Sequence, residues 1–498
     1  MTDPIYQLLD PGLAAEHLGR LHFVGVGGVG MAPVARIAAQ RGLPVSGSDI
    51  KATPVLEELA RAGAVIFIGQ DPSQLDGVDT VVTSTGVRSD NIELVEARRR
   101  GLRIVHRATA LAALMVGREA VLVAGTHGKT TTTSLLAVAL EELGADPSYA
   151  IGGELGRSGV SGQSGAGPVF VAEADESDGT FTHYRPDLAV ITNVELDHTD
   201  FFRSIEDVAA AFLDFAARIK PGGTLLVCAD DPGAIAVAER FRVQQPAGAD
   251  ARRVITYGRA EQADCRFGEL SLVDGCARFE VVDRSGESQR VALSVPGVHN
   301  AENATAAFAV LRELGFESAR IPAALGAFTG ARRRMELKGQ ADGVRVYDDY
   351  MHHPTEIAVT LAAYRGLLTP EGQVDEHGHA GPGRLIVAFQ PQRYSRAQTF
   401  LRQYGEPLGA ADAVIVLEVY PGSGEDPIPG VTGAVVAEDV PLPADRAVFE
   451  PVTAAAAARL ADWARPGDVV VTAGAGDVTT LGPAVLDLLR SREETVDS

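Results

Sequence analysis

Short, unbroken apolar runs recur along this chain and alternate with longer stretches whose apolar positions fall three and four residues apart. Runs of the first kind, bounded by glycine or polar turns, predict strands buried on both faces; the second spacing predicts helices packed against them. In a first block the runs lie at residues 21–24, 45, 64–68 and 78–82. In a second they lie at 120–124, 169–172, 188–192, 224–228 and 254–257, followed by short alternating segments over 265–293 that predict antiparallel hairpins, and by a helical run over 300–314. A third block has runs at 344–347, 385–389, 413–417 and 469–472. Regular alternation of this kind predicts an α/β protein built on mostly parallel, doubly wound sheets. The pattern thins over 107–117 and again near Gly330, which places three domains at 1–117, 118–330 and 331–498. A Ser/Gly-rich segment at 156–167 reads as a mobile loop, and the polar segment 369–383 as a surface insertion. No short-period repeat is present.

Composition narrows this picture without changing it. A 46% apolar and 22% charged content is that of an ordinary globular protein, and 498 residues suit about three domains. The net charge of −22 argues against nucleic acid or an anionic membrane as partner, so an anionic substrate needs local basic clusters such as Arg332-Arg333-Arg334. Three cysteines, Cys228, Cys265 and Cys276, suit a reducing compartment with no disulfide framework. The first eleven residues carry no basic-then-apolar leader, and no run is long enough for a membrane span, so a cytoplasmic protein is expected.

The densest chemistry follows the run Ala120 to Ala124. Gly125-Thr126-His127-Gly128-Lys129-Thr130-Thr131 makes a glycine-bounded turn that opens a helix with apolar residues at 135, 136, 139, 140 and 143. Backbone N–H groups and the helix dipole favour phosphate there, Lys129 adds a point charge, and the Thr130 hydroxyl can ligate Mg²⁺. The Walker pattern is incomplete, since Val123 stands where its first glycine belongs. ATP is the expected ligand.

In parallel sheets ligands bind beyond the carboxyl ends of the strands. The acidic run Glu173-Ala174-Asp175-Glu176-Ser177-Asp178 follows one strand and Asn193, Glu195, Asp197 and His198 follow another. Carboxylates beside a phosphate turn suit Mg²⁺, with Mn²⁺ as a possible substitute. In the first block Gly25, Gly27 and Gly30 follow a strand and Asp49 lies nineteen residues further on. That is the dinucleotide fingerprint, and it leaves open a nicotinamide-dependent oxidoreductase, although a UDP-sugar meets the same requirement. In the third block Asp348-Asp349-Tyr350-Met351-His352-His353-Pro354 and Gln390-Pro391-Gln392-Arg393-Tyr394-Ser395-Arg396 follow strands and carry readers for anions.

The set GVGGVGM (25–31), GTHGKTTT (125–132), EADESDG (173–179), TNVELDH (192–198), His299 with Asn300 and Asn303, RRRME (332–336) and DDYMHHPTE (348–356) closely resembles the Mur ligases over essentially the whole chain. It is most similar to the branch that adds L-alanine to UDP-N-acetylmuramate, although a relative that attaches a peptide to the same sugar nucleotide stays open. The resemblance implies an N-terminal Rossmann-like UDP-substrate domain, a central P-loop-type ATPase domain and a C-terminal Rossmann-like domain with the amino-acid site. It implies a cytoplasmic enzyme of peptidoglycan synthesis, monomer or homodimer, that activates the lactyl carboxylate as an acyl phosphate. Gly25, Gly27, Gly28, Val29, Gly30, Asp49 and Ser84 would hold the UDP-substrate. Gly125, Thr126, His127, Gly128, Lys129, Thr130, Thr131, Asn300, Asn303, Arg332 and Asp349 would hold ATP, with Lys129 on the β/γ-phosphates, Arg332 on the γ-phosphate, and Lys129, His198 and Arg332 catalytic. Thr130, Glu173 and His198 would ligate metal, and Tyr350, His352, Arg393 and Arg396 would line the alanine site. Two departures stand out. Gln392 occupies a position usually held by His, and residues 206–219 lack the lysine that sister ligases carbamylate, an absence shared with the alanine-adding branch.

Overall fold

The computed structural model describes the chain apart from residues 1–5, 8, 11, 246–247, 249, 274–275, 369–381, 423–424 and 497–498. The insertion expected at 369–383 thus falls largely outside the described residues, as does much of the N-terminal stretch read for a leader.

Three sheets follow one another along the chain. The first is fully parallel, in the order β3-β2-β1-β4-β5, with β1 Leu21–Val24, β2 Val45–Asp49, β3 Val65–Ile68, β4 Thr80–Thr83 and β5 Arg103–His106. The order reverses between β1 and β4, so the turns after these strands open a crevice at the switch point. Arg103–His106 was not expected as a strand, and the thinning over 107–117 proves to be a helix, Arg107–Met115. The helix is apolar on nearly all sides, so it carries no periodic signal.

The second sheet has eleven strands: β6 Glu119–Ala124, β7 Ser148–Ala150, β8 Gly162–Gln163, β9 Val169–Glu173, β10 Leu188–Ile191, β11 Thr224–Cys228, β12 Arg253–Gly258, β13 Cys265–Phe267, β14 Ser271–Val273, β15 Cys276–Val282 and β16 Ser288–Ala292. The path runs β14-β15-β13-β12-β11-β10-β6-β9-β7-β8, with β16 paired to β15, and the hairpin region is antiparallel as expected. Residues 156–167 are not the free loop expected from their composition. They contain β8, and Gly162 lies so close to Pro33 that a Cβ there would sit 2.6 Å from it. Ser164 N–H donates to Gln40 at 2.8 Å, so small residues here serve close packing.

Successive residues of β6 feed different cores, as a strand buried on both faces must. Val121 and Val123 pack with Leu135, Leu136 and Phe308, whereas Ala120, Leu122 and Ala124 pack with Phe170, Phe212 and, across the block boundary, Phe23 and Ile37. One apolar cluster therefore spans the first and second sheets.

The third sheet is ordered β17-β18-β22-β19-β20-β21, with β17 Glu336–Ala341, β18 Val344–Asp349, β19 Leu385–Gln390, β20 Ala413–Val416, β21 Ala447–Phe449 and β22 Val469–Gly474. It is parallel except for β17, which pairs antiparallel with β18. Its two cores draw only on residues beyond 334.

Candidate functional site

The turn between β6 and the helix Lys129–Glu142 is built by two glycines that nothing larger could replace. Gly125 has φ +134° and a Cβ there would lie 1.9 Å from Thr192 Oγ1; Gly128 has φ +83° and its Cβ would lie 2.7 Å from Asn303 Oδ1. No side chain caps the helix that follows, so its leading N–H groups keep their capacity for an anion. Lys129 Nζ donates to the Gly125 carbonyl at 2.6 Å and to both Glu176 carboxylate oxygens at 2.9 Å. Burial disfavours the ammonium, but Glu176, Asp175 and Glu173 more than compensate and hold it above its ordinary range.

Around this lysine stand two groups of hard donors. Glu173, at the end of β9, accepts from Gly152 N–H at 2.8 Å and bonds to the Thr130 hydroxyl, and burial raises its pKa. Asp175, Glu176 and His198 form the other group, with one donor atom from each within 4.8 Å of the rest. His198 adopts φ +50°, and its Nδ1 is buried with no hydrogen-bond partner among the described residues. Despite burial, Asp175 is held down to about 2 by Arg107, Lys129 and His198. Carboxylates, a hydroxyl and one unpartnered imidazole nitrogen beside a phosphate turn fit Mg²⁺ or Mn²⁺. Thr130, Glu173 and His198, the expected ligands, thus divide between the two groups, and Asp175 and Glu176 join them.

From this turn a cavity of about 270 Å³ runs along the sheet edge. His127, Gly128, Thr130 and Thr131 line one end; Asn300, Asn303, Tyr257, Val295 and Phe328 line the walls, and Asp349 joins from the third sheet. Burial pushes Asp349 up to about 6 while it accepts from Met335 and Met351 N–H. Arg332 does not line this cavity. Its side chain pairs with Glu154 and faces the larger cleft, and the cavity takes Arg334 instead. Arg334 also lies 5.3 Å over the Tyr350 ring, which the sequence could not have signalled. His127 sits between Glu356, at 3.3 Å from Nδ1, and Glu195, at 3.6 Å from Nε2. Although burial works against the charged ring, the flanking Glu195 and Glu356 carboxylates push its pKa up to about 9.

The same turn also borders a cleft of about 920 Å³ that all three blocks line. Gly27, Val29 and Gly30 reach it from the first block; Lys129, Glu173 and His198 from the second; Arg332, Tyr350, His352, Arg393 and Arg396 from the third. Gly25, Gly28, Asp49 and Ser84 occupy the same sheet edge without lining the cleft, and Asp49 accepts from Gly27 N–H at 2.9 Å. Arg393 precedes the helix Tyr394–Phe400, so the helical turn needed to bring the two arginines to one site is present. Both are already engaged: Arg396 forks onto Asp197 at 2.9 and 3.3 Å, and Arg393 binds Asp200 at 2.8 Å. Burial lowers His352 to about 4, leaving it neutral, and its Nδ1 lies 2.9 Å from the Tyr350 carbonyl. Sequence reasoning missed Arg107, which lines the cleft and pairs with Asp175 at 3.1 Å across the first boundary.

Three family models match in order: "Mur ligase family, catalytic domain" over residues 20–119, "Mur ligase middle domain" over 123–311 and "Mur ligase, glutamate ligase domain" over 333–476. Among similar proteins, a UDP-N-acetylmuramate–L-alanine ligase of Kineococcus radiotolerans is 49% identical over 99% of this chain and 100% of its own. Another of that name from Nocardioides sp. is 50% identical over 96% and 98%. Among solved structures, the UDP-N-acetylmuramate-alanine ligase of Thermotoga maritima superposes with a TM-score of 0.74 at 26% identity, covering 95% of this chain and 99% of that one.

Proposed function

Since the chain belongs to the Mur ligase family, we propose that it is the ATP-dependent ligase joining L-alanine to the lactyl carboxylate of UDP-N-acetylmuramate in peptidoglycan synthesis. One observation carries the reading: the phosphate turn borders both the nucleotide cavity and a cleft lined from all three blocks. Three substrates can therefore meet at Lys129 and Thr130. A nicotinamide oxidoreductase has no use for that meeting point.

A carboxylate is a poor electrophile and must be activated before an amine can attack it. The lactyl carboxylate oxygen attacks the γ-phosphorus, the bond to the β,γ-bridging oxygen breaks, and ADP leaves with an acyl phosphate formed. The amine of L-alanine then adds to the acyl carbon, loses a proton and expels inorganic phosphate. Lys129 and the uncapped helix N-terminus hold the β- and γ-phosphates, and Arg332, on the cleft side, meets the transferring group. Thr130 and Glu173 would hold one Mg²⁺ and His198 a second, and bound metal offsets charge on the phosphate oxygens. Asn300, Asn303 and Asp349 seat the nucleoside. Gly25, Gly27, Gly28, Val29 and Gly30, with Asp49 and Ser84, receive the UDP-sugar. Tyr350, His352, Arg393 and Arg396 take alanine. Linkers near 118 and 330 set the three domains, and the substrates place the enzyme in the cytoplasm. The test is phosphate release from ATP, which should require UDP-N-acetylmuramate and L-alanine together. Label from ¹⁸O in the lactyl carboxylate should appear in the phosphate; release of unlabelled phosphate overturns the acyl phosphate route, and release without the sugar nucleotide overturns the reading.

A further inference from the structure

The nucleotide cavity is lined by a carboxylate to which the phosphoryl chemistry gives no part. Glu302 lines this cavity from the helix Val298–Glu313, and its Oε1 accepts the Cys228 thiol at 2.6 Å. Among the described residues that thiol is its one hydrogen-bond partner, so Oε2 has none. The neighbouring acids differ. Asp230 accepts from Arg259 and Ala260 N–H at 2.5 and 2.9 Å, and Asp231 from Val194 and Ala234 N–H at 3.0 and 2.6 Å. Asp230 has both oxygens on backbone N–H groups and Asp231 takes both of its bonds on Oδ1, whereas Glu302 accepts from no backbone group among the described residues.

Its place along the sheet matches the base of a nucleotide. Cys228 ends β11, and β11 is two strands from β6, the strand of the phosphate turn. At a spacing of about 4.8 Å that is a lateral distance of about 10 Å, the reach from a β-phosphate to a purine. Val295 and Phe328 in the same lining are apolar and suit a flat ring. Adenine has a single hydrogen-bond donor group, its 6-amino group, so a carboxylate facing it has one partner to accept from. We infer that Glu302 reads the 6-amino group of adenine and makes the enzyme select ATP over 6-oxopurine triphosphates. The inference rests on this cavity taking the nucleotide, and it assigns a specificity role with no part in phosphoryl transfer. Burial raises the Glu302 pKa, which leaves its carboxyl sensitive to what it faces.

The experiment measures kcat/KM of the full-length enzyme, with UDP-N-acetylmuramate and L-alanine saturating, for ATP, purine riboside triphosphate and inosine triphosphate. A hydrogen bond to a charged group is worth about 1.5–3 kcal/mol, so the wild type should prefer ATP to purine riboside triphosphate by about 10- to 150-fold. In Glu302→Ala that ratio should fall to within about threefold, with ATP losing and the 6-unsubstituted analogue unchanged. Glu302→Gln, which keeps the shape and can donate its amide to a 6-oxo group, should shift the ATP to inosine triphosphate ratio at least tenfold toward inosine triphosphate. It serves as the test should the alanine variant not fold. A wild type that turns over both ATP and purine riboside triphosphate equally, or variants that keep the wild-type ratios, would overturn the inference and leave the ligase reading intact. A wild type with no substrate-dependent phosphate release at all overturns that reading instead.

Discussion

At the scale of single residues, the site is a set of buried charges held by specific partners. Lys129 faces Glu176, so Lys129→Ala removes the proposed phosphate ligand and strands a buried carboxylate. Phosphate release should fall by at least about 10- to 150-fold, while UDP-N-acetylmuramate binding by calorimetry changes little; turnover near wild type would remove Lys129 from the mechanism. The His127 ring has its pKa raised to about 9, against an ordinary 6.5, so its contribution to stability is complete below about pH 6.5 and disappears as pH rises through 9. The shift caps the contribution at about 3 kcal/mol. Urea unfolding of the wild type and His127→Gln should differ most at pH 6 and converge by pH 10, and a pH-independent difference would refute the ion triad. How much of this was legible depended on sequence distance. The phosphate turn, the acidic run and the strand-end arginines are local and were readable. The pairing of Lys129 with Glu176, of His127 with Glu195 and Glu356, and of Arg107 with Asp175 depends on which strands become neighbours, which spacing along the chain does not encode.

At the scale of elements, backbone shape sets the phosphate turn before any charge does. Gly125→Ala meets both a positive φ and Thr192 Oγ1 at 1.9 Å, whereas Gly144 has a similar sign of φ, +79°, with nothing within 4 Å. Gly144→Ala should cost only the left-handed penalty, about 1–2 kcal/mol. Gly125→Ala should cost clearly more and lower ATP affinity as well, as thermal melts with and without nucleotide would reveal. Equal losses would mean the turn tolerates displacement. Elements with a clear hydrophobic pattern were predictable, while β5 and β17 carry too many polar residues, and the three-residue β21 is too short, to stand out. The segment 156–167 misled because glycines that permit close contact have the same composition as glycines that permit motion; Gly162 against Pro33 is the former.

At the scale of the whole molecule, the first two blocks share an apolar cluster, whereas the third keeps its cores to itself. A fragment of residues 331–498 should therefore melt cooperatively alone, while 118–330 should bind an apolar dye that 1–330 does not; a 118–330 fragment that binds no dye would contradict the shared core. The third block meets the second through ion pairs as well as through its linker, and Arg396 on Asp197 is the most buried of them. Exchanging Arg396 for Lys keeps the charge and loses the fork, so the KM for L-alanine should rise about 10- to 150-fold with the KM for ATP nearly unmoved; the reverse pattern would move Arg396 to the phosphate site. On the proposed assignment of Arg396 to the alanine carboxylate, that same contact makes Asp197 a tethered rival for the guanidinium. With an effective concentration on the order of millimolar or more, it sets a threshold that free amino acid must outcompete, so apparent affinity reports an exchange of one carboxylate for another. Relieving the rivalry with Asp197→Asn should lower the KM for L-alanine, and on that assignment each alanine bound would free an aspartate beside His198.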